Sequence, residues 1–135
     1  MNKIEYGLDN FEKMEVDGVE LDGIVDTYRF QTEGSHTVEY VLKNSDIGTY
    51  LFTQCSGLIS IVIPDSVTSI SNYAFQGCND LLSITCNATT APTTYSAFGP
   101  YEHHGTLYVP IGSTGYDAWL EEYGELGPTW TKVEQ

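Results

Sequence analysis

The chain is poor in basic residues: five Lys and Arg stand against 19 Asp and Glu, for a formal net charge of -14 over 135 residues. A surface of that sign repels phosphate backbones, so nucleic acid is excluded as a partner class and anionic membrane surfaces are disfavoured. Long apolar runs are missing too. None approaches the roughly 18 residues a membrane helix needs, and no membrane insertion is expected. The start, MNKIEYGLDNFEKMEV, has no apolar signal-peptide core, so either a leader lies outside this chain or the protein is not secreted. Cysteine is scarce and odd in number, with three residues, which does not spell a disulfide framework. There is no nucleophile elbow, phosphate loop, calcium-loop spacing or pair of catalytic carboxylates. The expectation is a protein that is not an enzyme and carries no cofactor or metal.

What the chain does have is repetition. The stretch IGTYLFTQCSGLISI, Ile47 to Ile61, returns as SISNYAFQGCNDLLSI, Ser69 to Ile84. Tyr50 matches Tyr73, Phe52 matches Phe75, Cys55 matches Cys78 and Ile61 matches Ile84, each 23 residues on. The same step carries Phe75 to Phe98 and Ile84 to Leu107, and projects Ile61 back onto Val38. A fixed period in this range is the mark of a solenoid, in which each unit buries its apolar face only against its neighbours. The fold expected is therefore mainly β with short helical turns: about four rungs of 23 residues with a parallel strand ladder. The strands fall near residues 37–41, 60–63, 83–86 and 106–109.

Alternation along these strands gives their facing. Val38, Ile61, Ile84 and Leu107, with Tyr40, Ile63, Cys86 and Val109, should point inward. Glu39, Val62, Thr85 and Tyr108 should point outward, flanked by hydroxyls at Thr37, Ser60, Ser83 and Thr106. This outward face is nearly uncharged, and these eight residues form the candidate ligand-binding set. Phe52, Phe75 and Phe98 should stack as an aromatic spine on the return side.

The ends read as caps, dividing the chain into an N-terminal hairpin cap (1–36), the solenoid (37–111) and a C-terminal cap (112–135). KMEVDGVELDG predicts a hairpin turning at Asp17-Gly18, and TYRFQTEGSHTVEYVLK a second one turning near Glu33-Gly34. Ser113 or Thr114 should cap a short helix from Gly115 to Tyr123, whose Trp119 covers the last rung; WTKVE can add a closing strand. Cys55, Cys78 and Cys86 are expected as buried, reduced thiols. In Glu102-His103-His104 the adjacent histidines of an extended segment point apart. A half-buried cap residue at His104 is expected rather than a metal site.

The unit LISIVIPDSVTSISNYAFQGC, Leu58 to Cys78, resembles the BspA-like leucine-rich repeats, and LLSITCNATTAPTTYSAF is a looser copy. LYVPIGSTGYDAW looks like the closing segment that follows the last repeat in such proteins. The resemblance covers about Val38 to Trp119. It implies a leucine-rich-repeat solenoid of a bacterial surface or secreted protein, acting as a non-catalytic binding or adhesion module for a protein or glycan partner. The alternative it leaves open is a structural or receptor-binding part of a phage tail or larger surface assembly. By the same resemblance the location is extracellular or at the cell surface.

Overall fold

The computed structural model describes residues 11–24, 29–98 and 104–135. Strand β1 (Phe11–Val16) turns through Asp17 and Gly18, both at positive φ (49° and 85°), into β2 (Val19–Glu20). Glu15 pairs with Glu20 and Val16 with Val19, antiparallel, at the predicted turn. The other edge of β1 takes β3 (Val38–Leu42), also antiparallel, with Val16 opposite Val38 and Met14 opposite Tyr40.

This pairing corrects two expectations. Among the described residues, 29–33 form no strand and make no hairpin with β3, while Thr27 and Tyr28 of the expected hairpin lie outside the described residues. Nor is β3 a rung of the parallel ladder. The cause is local: Asp17 Oδ1 accepts the Thr37 N–H at 2.9 Å, and Asp17 N donates to Thr37 O at 2.8 Å. These bonds pin the entry of β3 to the hairpin tip and commit its backbone to β1.

The solenoid follows as two parallel ladders. On one side run β5 (Ser60–Ile63), β7 (Ser83–Cys86), β9 (Gly105–Val109) and β10 (Trp130–Glu134), in that spatial order. Ile61 stands beside Ile84 and Ile84 beside Leu107, at the predicted step of 23. On the other side run β4 (Asp46–Ile47), β6 (Ser69–Ile70) and β8 (Thr93–Thr94). Here Ser69 pairs with Thr93, a step of 24. The third rung takes one residue more before β8 and one fewer after it, so that Phe98 regains the period.

Between the ladders lies the core. Ile63, Ile84, Cys86, Leu107 and Val109 are buried, as their inward parity requires. Phe52, Phe75 and Phe98 stack with centroids 5.3 Å apart at both steps and planes within 10°. Phe75 and Phe98 are inaccessible, whereas Phe52, at the end of the spine, is half-buried beneath Phe11 and Tyr40. At the other end Trp119 tilts against Phe98 at 5.5 Å and is itself buried. All three cysteines are buried thiols outside any disulfide, as expected.

Beside the spine the backbone makes a ladder of its own. Tyr50, Tyr73 and Ser96 share a left-handed φ (59°, 58° and 54°), as do Gln54 and Gly77. In this conformation the N–H groups of Tyr50, Phe52 and Gln54 all point to the next rung, donating to Asn72, Ala74 and Gln76 at 3.1, 2.7 and 2.7 Å. Tyr73 and Phe75 do the same to Ser96 and Ala97 at 3.0 and 2.9 Å. Every donor in this column faces the C-terminal end.

The last donors are closed by one side chain. The Glu125 carboxylate accepts from Ser96 N (3.1 Å), Ala97 N (2.8 Å) and Phe98 N (3.3 Å). Its position is built by its neighbours. A Cβ on Gly124 would lie 2.2 Å from Ala118 O, so only glycine fits. Leu126 is buried and donates to Trp119 O at 2.7 Å. The C-terminal helix is shorter than predicted, a single 3-10 turn, Asp117–Leu120, with no side-chain cap. Ser113 Oγ is buried and makes no capping bond. Gly112 and Gly115, both at positive φ, turn the chain too sharply for a helix to start at Gly115.

Candidate binding face

The outward residues of the four-stranded sheet come from alternate positions in register. Ser60, Ser83, Thr106 and Thr131 make one row; Val62, Thr85, Tyr108 and Val133 make the second. Six of the eight predicted residues are thus brought onto one surface about 14 Å across, at the usual strand spacing. Exposure falls from the edge inward: Val62 on the edge strand is 68% exposed, while Thr85 and Tyr108 on inner strands are partly covered by their neighbours.

Thr37 and Glu39 are not there. Glu39 belongs to the antiparallel sheet, and Thr37 just precedes β3 with its N–H held by Asp17. Glu39 pairs with Glu15, which in turn pairs with Glu20, so three carboxylates stand in a row across that sheet. Lys13 lies 3.3 Å from Glu15, and that bond, with the field of Glu20 and Glu39, raises its pKa. Glu39 therefore extends an acidic row instead of the neutral face. The sequence projected it by period alone, and the antiparallel pairing to β1 breaks the projection.

Two residues of the face were missed, Thr131 and Val133. Trp130 pairs with Gly105, a step of 25, so β10 lies outside the repeat period. Its own alternation was the available signal, since WTKVE places Thr131 and Val133 on one side. The opposite side shows how the sheet ends. Trp130 is buried over Gly105, where a Cβ would come within 2.4 Å of the indole. Lys132 reaches Asp117 in an ion pair. Inward-pointing charge of this kind blunts a sheet edge against further strands.

The face is shallow. A depression of about 100 Å³ opens between Thr85, Asn87, Tyr108 and Gln135, well below the roughly 300 Å³ at which small-molecule sites begin. A second, wide notch of about 310 Å³ lies among Ile59, Asn79, Asp80 and Leu82 at the start of β5 and β7.

Elsewhere the chemistry is muted. Burial pushes the Cys86 thiol up to about 12, opposed only by its bond with Tyr116. The Tyr116 hydroxyl donates to Ala88 O at 2.8 Å, and burial raises its pKa. Burial likewise raises Tyr40 to about 12. Among the described residues no group of three or more His, Cys, Asp or Glu is placed to hold a metal ion. His104 is exposed, with Nδ1 3.3 Å from Thr129 O, and not half-buried as expected; Glu102 and His103 lie outside the described residues. Among the described residues no helix is long and apolar enough to cross a membrane.

No curated protein and no solved structure gave a match to the chain. A family model described as a BspA type leucine rich repeat region (6 copies) matches residues 24–112, well over half of the sequence and the whole of β3 to β9. The period, the two parallel ladders and this match agree: the chain belongs to the BspA-type leucine-rich repeat family, a repeat module commonly found at surfaces and in binding, and generally non-catalytic.

Proposed function

We propose that the protein is a non-catalytic binding or adhesion module of a bacterial surface or secreted protein, which takes a protein or glycan partner on the strand face of its solenoid. The observation that carries this is the contrast of charge. The rows Ser60–Ser83–Thr106–Thr131 and Val62–Thr85–Tyr108–Val133 hold no ionisable carboxylate or base on a protein of net charge -14. An uncharged, hydroxyl-bearing sheet is where water is displaced at least cost. Short hydroxyls lose little rotamer freedom, and Tyr108 offers the amphipathic ring enriched at binding hot spots.

The test is a glycan and host-protein array probed with the intact chain, followed by the double variant Tyr108→Ala, Thr85→Arg. Loss of binding with an unchanged circular dichroism spectrum supports the strand face. Full affinity in the double variant moves the site to the return side or to the N-terminal sheet.

A further inference from the structure

His36 sits where three elements meet. Its Nδ1 lies 2.8 Å from Asp17 Oδ2 at the hairpin tip, and its Nε2 lies 2.8 Å from Thr32 O in the loop that leads to β3. Phe30 stacks on the ring, with centroids 4.1 Å apart and planes within 11°. The side chain is 14% exposed.

Both ring nitrogens therefore face acceptors. A neutral imidazole has one N–H and one lone pair, so either tautomer would set a lone pair against an oxygen. Only the imidazolium donates to both. Its charge also suits the flanking aromatic face.

We infer that His36, Asp17 and Thr32 form a proton-operated latch, which holds the 29–36 segment on the hairpin tip while the imidazole is protonated and releases it when the proton leaves. Among the described residues Asp17 is the one charged group acting on the ring; Thr32 contributes a carbonyl and Phe30 an uncharged face. The Asp17 bond first, then the Thr32 carbonyl, raise the pKa of His36 above its ordinary value near 6.5. Asp17 is lowered in turn, by the Thr37 N–H first and His36 second. The sign follows. Latching is complete below about pH 6.5 and is lost as pH rises through the raised value. The entry of β3 stays pinned to the hairpin tip, because the Thr37 N–H remains on Asp17.

Trypsin reads the latch directly, since Arg29 is exposed and is one of only five basic residues. Cleavage after Arg29, scored by mass spectrometry and normalised to an unstructured peptide of the same sequence, is followed from pH 5.5 to 8.5. The normalised rate should be flat below about pH 6.5, climb by up to about tenfold per unit as one proton is lost, then level off. His36→Gln should flatten the profile. In Asp17→Asn, which tolerates positive φ and keeps an acceptor for Thr37, the NMR titration midpoint of His36 should fall. A His36 midpoint at or below 6.5 in the unaltered protein overturns the latch, and so does a cleavage profile that His36→Gln leaves unchanged. The NMR midpoint needs no variant, so misfolding of either substitution does not remove the test.

Discussion

Replacing Glu125 by alanine tests the most concentrated contact in the fold. One carboxylate receives three backbone N–H groups, at 2.8, 3.1 and 3.3 Å. Two of them belong to Ala97 and Phe98, which have no exposed surface, while Ser96 is exposed and can turn to water. A buried donor left without an acceptor costs roughly 1–3 kcal/mol, so two such donors put Glu125→Ala near 3 kcal/mol once some water entry is allowed for. Against a total stability of about 5–15 kcal/mol for a domain, that is a substantial share. Glu125→Gln keeps one acceptor oxygen and should cost about 1 kcal/mol. Glu125→Asp is a methylene short of spanning all three donors and should fall between the two. Urea denaturation gives the free energies, with an unchanged m-value confirming that the unfolded states compare. Hydrogen exchange localises the effect, because the Ala97 and Phe98 amides should lose protection before Ile84 does. If Glu125→Ala lies within about 0.5 kcal/mol of the unaltered protein, the range of an ordinary surface change, the capping argument is wrong.

Phe75→Ala empties the middle of the aromatic spine, between rings 5.3 Å away on either side, and should cost about 3–5 kcal/mol by chemical denaturation. Gly105→Ala drives a methyl into the Trp130 indole and should cost about 1–3 kcal/mol. Combining it with Trp130→Leu should recover part of that loss, and strict additivity would show that the two do not touch. The three buried thiols should be inert to a disulfide reagent at pH 8 in the folded state and all react in urea. For Cys86 burial sets a pKa of about 12, so rapid native labelling at that residue would contradict its place in the core.

The sequence displayed the solenoid because solenoid positions repeat. Ile61, Ile84 and Leu107 each meet the same neighbours one rung away, so the same residue type recurs at the same step. Phe52, Phe75 and Phe98 declare the spine for the same reason. Where a residue meets something that happens once, the repeat is silent. Glu125 meets three main-chain N–H groups at one place in the chain, and main-chain groups leave no trace in side-chain identity. Strand β10 joins at a step of 25 and became visible only through its alternation. Thr37 and Glu39 were misplaced because the period continues through Val38 while the backbone there already belongs to β1. The outward strand face was legible in its six ladder residues and illegible at both margins, where the chain leaves the repeat.

The Glu125 cap has a consequence for how such a protein can change length. It recognises three peptide N–H groups and no side chain, so any rung with the same backbone course would satisfy it equally. Trp119 asks only for an aromatic ring in the Phe98 position. A duplication or loss of one whole unit upstream would therefore present the cap with an unchanged socket. Rung number can vary in such a chain while its terminus stays fixed, and the four-stranded sheet can be widened or narrowed by about 4.8 Å at a time.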